Sequence, residues 1–219
     1  MLKIQQIQEG NIVQNVIYLV TRKTVLGKEF SDQEKEWISS RIQMDKELIH
    51  VNRFDNQLYV VVVPQKKNSW QNTEILRRKG AEVFGSLNNF KTDEVTLVDL
   101  TSDASNLIAL LEGLYLSSYQ FVKYFKDSVK RIYSLNQVNV IADIDFTVYQ
   151  NLWDSVFITK NLVNEPVMSL PSTVFVEQIK SVCQNSGIDI TVYDKHWLVD
   201  HCMGGILAIN KGSIDPPFL

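Results

Sequence analysis

The 219-residue sequence has few of the features that mark secreted, membrane or nucleic-acid-binding proteins. It contains two cysteines, Cys183 and Cys202, which are too few for a disulfide framework and suit a reducing compartment. The net charge of −3 creates no field that attracts nucleic acid or an anionic membrane. The amino terminus lacks the apolar core of a signal peptide, and no apolar run approaches the length of a membrane span. These absences predict a cytoplasmic protein.

Glycine is also scarce, at nine residues in the chain. Loops that cradle phosphate need clustered glycines, because the backbone amides must approach the anion closely. The glycines of the first 145 residues are instead widely separated: Gly10, Gly27, Gly80, Gly85 and Gly113. This spacing argues against a nucleotide- or ADP-ribose-binding role.

The order of predicted elements in the first 145 residues indicates an α/β fold. Strands that alternate with helices build a mostly parallel sheet covered on both faces. A hairpin with its turn at Asp55-Asn56 makes the sheet mixed, and the unbroken apolar run Tyr59–Val63 predicts a strand buried on both faces. The first two strands are predicted as a hairpin or near neighbours. The predicted strands are 2–7, 15–20, 48–54, 57–63, 95–100 and 138–141, and the predicted helices are 31–42, 69–87 and 103–124.

A long helix at 146–163 follows, with an apolar stripe at steps of three and four residues. Pro166 forces a turn after it, and Ser172 or Ser169 is available to cap the next helix, at 172–185. We then expect a strand at 188–193, a short helix at 195–201 and a strand at 206–210. The predicted organisation is an α/β domain at 1–145, a connecting helix at 146–164 and an incomplete second α/β unit at 165–219.

The residues around this turn resemble a known family. The run TKNLVNEPVMSLPSTVFVEQI looks like the signature that opens the catalytic domain of the leucyl aminopeptidases, the cytosol aminopeptidase or M17 family of metallopeptidases. Three further stretches agree with the family in order, and these are ILRRKGAEVF near Ile75, EGLYLSSYQFVKYF from Glu112 and MGGILAINKGSIDPP from Met203. The resemblance covers the chain from about Ile75 onward, whereas the earlier residues match only in their pattern of elements.

The chain also departs from the family pattern. Lys160-Asn161 stands where the family usually has Arg-Asp, Met168 where it has Asn, and Phe218 where it has Arg. The family's ligands for two zinc or manganese ions lie in a Lys-bearing segment with an Asp-Thr-Gly-Gly turn and in an Asp-Ala-Glu-Gly-Arg segment. Neither segment occurs in these 219 residues. We therefore expect no catalytic, cofactor-binding or metal-binding residue in this chain, and no peptide hydrolysis by the chain alone.

Three histidines, His50, His196 and His201, invite a metal hypothesis, with Cys202 beside the last of them. A zinc site needs three or four converging ligands, and two histidines five residues apart on a short helix do not face each other. We favour a surface or interface role for His196 and His201. His50 alternates with apolar neighbours on a strand and is expected to be packed or surface-lying.

Three acidic residues lie near predicted helix ends. Asp143 and Asp145 stand at the end of a predicted parallel strand, where paired carboxylates could act as acid and base. We favour the alternative that an Asp here caps the following helix. Glu165, inside the family-like turn, is expected to accept backbone hydrogen bonds and not to be catalytic.

Two basic clusters raise the possibility of single-stranded nucleic acid, because aromatics interleaved with cations can stack on bases. Amphipathic helices with buried aromatics and solvated lysines show the same pattern, and the acidic net charge favours that interpretation. The first cluster is Arg77, Arg78 and Lys79, and the second is Lys123, Lys126, Lys130 and Arg131, interleaved with Tyr119, Phe121, Tyr124 and Phe125.

The resemblance implies that a complete family member is a metal-dependent aminopeptidase that acts on peptides and forms hexamers, so this chain is expected to self-associate. The alternative function is a non-catalytic interaction module, because strands left without neighbours expose apolar surface. Nucleic-acid binding is a third and less favoured class.

Overall fold

A computed structural model describes residues 2–8, 10, 14–101, 103–142 and 144–219. The chain forms two compact units, residues 1–157 and residues 158–219, and the boundary falls inside one helix. The predicted domain boundaries stay a prediction. No helix in the described part of the chain is long and apolar enough to cross a membrane.

The first unit is built on a six-stranded sheet with the order β1-β6-β5-β2-β4-β3. Every neighbouring pair is parallel except the pair of β3 with β4, which confirms the predicted mixed, mostly parallel α/β sheet. The strands are β1 (Lys3–Gln6), β2 (Val16–Val20), β3 (Leu48–Asn52), β4 (Gln57–Val62), β5 (Glu94–Asp99) and β6 (Gln137–Ile141). The helices along the chain are α1 (Asp32–Gln43), α2 (Ser69–Asn89), α3 (Ala104–Ser117), α4 (Ser128–Arg131), α5 (Thr147–Asn164), α6 (Ser172–Asn185), α7 (Lys195–Asp200) and α8 (Gly204–Asn210).

Two hydrophobic cores lie on the two faces of this sheet. On β2, Ile17 and Leu19 face the core that α2 and α3 cover, whereas Tyr18 and Val20 face the core beneath α1. Successive side chains of a strand point to opposite faces, so a strand covered on both sides reads as a continuous apolar run. All six residues of β4 are buried, as its sequence predicts.

The predicted pairing of the first two strands is wrong. β1 pairs in parallel with β6, with Lys3 opposite Gln137, and β2 lies between β4 and β5. β2 is fully buried and needs a neighbour on each side, whereas the polar strand β1 can occupy an edge because its side chains tolerate water.

The hairpin of β3 and β4 is confirmed, but its turn differs from the expected one. The positive φ angle falls on Phe54, at 64°, and not on Asp55 or Asn56. The Asn52 side-chain oxygen accepts a hydrogen bond from the Phe54 amide at 2.8 Å. This local bond stabilises a turn in which the bulky residue, not the Asp or Asn, takes the left-handed conformation.

The helix predicted for residues 103–124 ends earlier, at Ser117. The Gln120 side chain donates to the Arg131 carbonyl at 2.6 Å and accepts from the Tyr133 amide at 2.9 Å. These bonds tie residue 120 to a segment that runs back beside it, which a continuing helix would not allow. Residues 119–127 therefore form an irregular connection.

The capping box predicted at α1 is present and is linked to an ion pair. Ser31 and Glu34 exchange the two capping bonds. Glu34 also accepts a bidentate pair of bonds from Arg53, at 2.6 and 2.9 Å. These bonds from the Arg53 guanidinium lower the pKa of the Glu34 carboxyl to about 2. The ionised carboxylate therefore joins α1 to the end of β3.

We expect Glu34→Gln to lower the free energy of unfolding by about 1–2 kcal/mol at pH 7, because it removes a bidentate charge-assisted bond. A carboxyl pKa depressed by folding stabilises the protein above the unfolded pKa, and this contribution disappears as the pH falls towards 2. Urea unfolding of the wild-type protein and of Glu34→Gln between pH 7 and pH 3 should show that the difference between their free energies of unfolding shrinks as the pH falls. Glu36→Gln, at an exposed position of α1, is the control. If Glu36→Gln lowers the free energy of unfolding as much as Glu34→Gln does, the Glu34–Arg53 pair is not the cause.

Candidate functional site

The segment around Pro166 joins α5 to α6 in a compact turn. The Glu165 amide donates to the Asn161 carbonyl at 3.1 Å, and the Pro166 carbonyl accepts from the amides of Ser169 and Leu170 at 2.8 and 3.1 Å. Glu165 is half-buried, and the side-chain role expected of it stays a prediction. The turn breaks the helix where the proline predicts.

The predicted serine cap of α6 is wrong. Pro171 occupies the N-cap position, where no side chain accepts a hydrogen bond. Ser172 instead donates its hydroxyl to the Pro216 carbonyl at 2.6 Å. The hydroxyl therefore holds the end of the chain against the start of α6 and does not cap the helix.

An apolar groove of about 310 Å³ lies beside α6 within the second unit. Tyr193 and Leu219 exchange two backbone hydrogen bonds, at 2.8 and 3.0 Å, and these bonds position the groove's far wall. The groove is lined by Ser172, Phe175, Val176, Ile179, Ile190, Thr191, Val192, Phe218 and Leu219. The pairing could not be predicted from the sequence, because among the described residues it joins the two segments at one pair, Tyr193 and Leu219, which leaves no strand pattern.

The two strands predicted for the second unit are wrong. Residues 188–193 form no ladder. The Ile188 amide donates to the Cys183 carbonyl at 2.9 Å, and Tyr193 exchanges its two backbone bonds with Leu219. Residues 206–210 lie in α8. A short apolar run such as ILAIN suits either a helix or a strand, and a helix satisfies its own backbone groups where no strand lies alongside. The helices predicted at 172–185 and 195–201 are confirmed as α6 and α7.

His201, the C-cap residue of α7, belongs to an aromatic stack. The Trp197 ring lies between Tyr193 and His201, with ring centroids 4.0 and 3.8 Å apart. His201 donates from Nδ1 to the Trp197 carbonyl at 2.9 Å. His196 and Cys202 are exposed. In the part of the chain that the structure describes, no three His, Cys, Asp or Glu side chains converge to hold a metal ion.

The remaining candidate residues of the first unit have local partners. The His50 ring stacks on Tyr59 with centroids 4.6 Å apart and bonds Gln57 at 2.6 Å. Asp145 accepts a bond from the Thr147 amide at 2.9 Å, and hydrogen bonding from the Thr147 side chain, together with this amide, lowers the pKa of the exposed Asp145 carboxyl. Asp145 thus bonds the first residue of α5 from the position before the N-cap, and its predicted capping role stays a prediction. Asp143 lies outside the described residues.

The first basic cluster is neutralised by ion pairs. Arg77 pairs with Glu112 at 2.5 Å, Arg78 with Glu74 at 2.8 Å, and Lys79 with Glu82 at 2.9 Å. A surface whose cations are matched by carboxylates offers little attraction to a polyanion. The cluster therefore gives no support to nucleic-acid binding.

The second basic cluster differs from the expected amphipathic helix. Tyr124 and Phe125 are half-exposed in the irregular connection. Arg131 pairs with Asp127 at 3.2 Å and lies over the Phe125 ring, 4.2 Å from its centroid. These aromatic side chains pack against cations of their own chain.

Residues 157–219 match the family model of the cytosol aminopeptidase family, catalytic domain. A probable cytosol aminopeptidase of Sulfurihydrogenibium sp. is 27% identical over 170 residues, covering 73% of this chain and 34% of that protein. One from Alkaliphilus oremlandii is 28% identical over 160 residues, covering 67% of this chain and 32% of that protein. The chain is similar to the cytosol aminopeptidase family in the sequence of these regions. It spans about a third of the length of these curated relatives.

Solved structures of leucine aminopeptidases share the fold. A tomato leucine aminopeptidase mutant matches with a TM-score of 0.75 at 11% identity, over 100% of this chain and 50% of that one. The leucyl aminopeptidase of Trypanosoma brucei matches with a TM-score of 0.69 at 15% identity, over 98% of this chain and 48% of that one. The resemblance read from the four sequence stretches is thus confirmed at the level of family and fold.

Proposed function

We propose that this chain is the amino-terminal part of a metal-dependent aminopeptidase of the cytoplasm, comprising the first domain and the opening of the catalytic domain. The match of residues 157–219 to the family's catalytic domain carries the proposal. A complete enzyme of this kind removes the first residue of a peptide. In such an enzyme two cations would supply Lewis-acid chemistry, lowering the pKa of a bound water and polarising the peptide carbonyl.

The described residues of this chain do not form a binding site for two metal ions. His196 and His201 lie on a short helix, and His201 is engaged with Trp197. Since no triad of suitable side chains converges among the described residues, no catalytic step is assigned to this chain. The run TKNLVNEPVMSLPSTVFVEQI resembles the opening of the family's catalytic domain, whereas the ligand-bearing Asp-Thr-Gly-Gly and Asp-Ala-Glu-Gly-Arg segments are not among the 219 residues.

The open groove beside α6 supports the same proposal. Its walls carry exposed apolar side chains, with Phe175 40% and Ile190 37% accessible. Apolar surface of this kind is normally covered in a finished domain. We propose that further catalytic-domain residues cover it in the active enzyme.

The proposal is tested by assaying the purified 219-residue chain with leucine p-nitroanilide in the presence of Mn²⁺ or Zn²⁺. We expect no turnover above the rate of the buffer with metal. An established full-length leucine aminopeptidase, assayed in parallel, shows that the conditions support catalysis. Turnover that stays proportional to the chain through successive purification steps would overturn the proposal.

A further inference from the structure

The strand β3 ends the sheet and has one neighbour, β4. Glu47 and Arg53 bond β4 and its turn through their backbones, as the 2.9 Å bond from Val62 to Glu47 and the 3.0 Å bond from Arg53 to Asn56 show. Antiparallel pairing alternates along a strand, so the odd-numbered residues face β4. The backbone groups of Leu48, His50 and Asn52 therefore point to the open edge.

The two edges of the sheet differ in how well they resist pairing. β1 reads Lys-Ile-Gln-Gln, and a lysine with glutamines is the kind of edge that discourages a further strand. β3 reads Leu-Ile-His-Val-Asn, with neither lysine nor proline. Exposed aromatic side chains surround the β3 edge, because Trp37, Phe54 and Phe90 are 45%, 94% and 46% accessible. β3 is therefore the edge open to a partner.

A second copy of β3 complements the first when the two strands run antiparallel about a two-fold axis at His50. In this register Leu48 lies opposite the partner's Asn52, and Ile49 opposite the partner's Val51. All three outward-facing residues then find hydrogen-bonding positions, which gives about six backbone bonds. No other two-fold register pairs all five strand residues.

The charges at the ends of β3 favour the same register. Glu47 comes to lie opposite the partner's Arg53, whose guanidinium already holds Glu34 of its own chain through Nε and Nη2 and would meet Glu47 with its remaining N–H groups.

We propose that two copies of this chain associate through their β3 edges, joining two six-stranded sheets into one continuous sheet. The interface uses only the first unit of the chain and requires no catalytic activity. Its test is therefore independent of the proposed peptidase role.

The first test is light scattering over a concentration series, with His50→Lys as the disrupting variant. Two ammonium groups would then face each other across the axis, and we expect the dimer dissociation constant to rise at least about tenfold. Gln5→Lys makes the same charge change on β1, which is not part of the proposed interface, and should leave the dimer dissociation constant unchanged. Circular dichroism and urea unfolding confirm that both variants fold. A wild-type chain that stays monomeric at high concentration, or equal dimerisation of His50→Lys, overturns the proposal.

The second test locates the axis by cross-linking in a chain whose Cys183 and Cys202 are changed to serine. Facing residues of a hydrogen-bonded antiparallel pair have Cα atoms about 5.5 Å apart, within the range of a disulfide. His50→Cys should therefore form a covalent dimer on mild oxidation. Asn52→Cys should not, because its two copies lie about 14 Å apart along the strands. Equal cross-linking by the two variants, or none by His50→Cys, contradicts this register.

Discussion

Replacing Gly113 by alanine is expected to lower the free energy of unfolding by about 3 kcal/mol, although alanine is the better helix former. Gly113 on α3 faces α2, and a Cβ atom built there lies 2.0 Å from the Arg77 carbonyl oxygen. Gly80 on α2 faces α3 in the same way, because a Cβ atom built on Gly80 lies 2.3 Å from the Leu110 carbonyl oxygen. Both obstacles are backbone atoms, so the helices must move apart and their shared core must loosen.

Gly85→Ala is the matched control, because it makes the same change on α2 where a Cβ atom meets nothing within 4 Å. Removing a helical glycine there should raise the free energy of unfolding by about 0.5–1 kcal/mol. Urea unfolding of the three proteins measures both effects. Stabilisation by Gly113→Ala comparable to that by Gly85→Ala would show that the two helices do not pack as closely as described.

Trp153→Ala should destabilise the first unit by about 3–5 kcal/mol, the usual cost of emptying a large buried aromatic site. Trp153 is 1% accessible and packs against Tyr115, with ring centroids 5.4 Å apart. The adjacent residue Leu152 is 57% accessible, so Leu152→Ala should change stability by less than about 0.5 kcal/mol.

Urea unfolding followed by far-ultraviolet circular dichroism gives both free energies of unfolding. Equal effects of the two substitutions would mean that the apolar stripe of α5 is buried along its whole width. The sequence predicted such a wide stripe, whereas the structure buries Trp153 and Phe157 and leaves Leu152 in solvent.

Sequence patterns predicted those elements whose structure depends on residues close together in the chain. The capping box of Ser31 and Glu34 and the unbroken run of β4 lie where they were predicted. The β3–β4 pairing also followed from its sequence, because a short turn between apolar runs leaves few alternatives.

Features that depend on contacts between distant parts of the chain could not be predicted from the sequence. Gly80 and Gly113 stand alone in the sequence, and only the packing of α2 on α3 shows what they do. The edge position of β1 depends on β6, which lies more than a hundred residues away in the chain. The run at 206–210 was ambiguous by composition, and the absence of a neighbouring strand in the described structure resolved it as helix.

Our central proposal is that this chain, which resembles the cytosol aminopeptidase family, does not by itself hold the two metal ions of that family. The most direct measurement is the metal content of the 219-residue chain after equilibrium with Zn²⁺ or Mn²⁺ and gel filtration, taken together with its anilide turnover. We expect less than one retained Zn²⁺ or Mn²⁺ ion per chain and no turnover of the anilide. Two retained ions per chain with stoichiometric hydrolysis would contradict it.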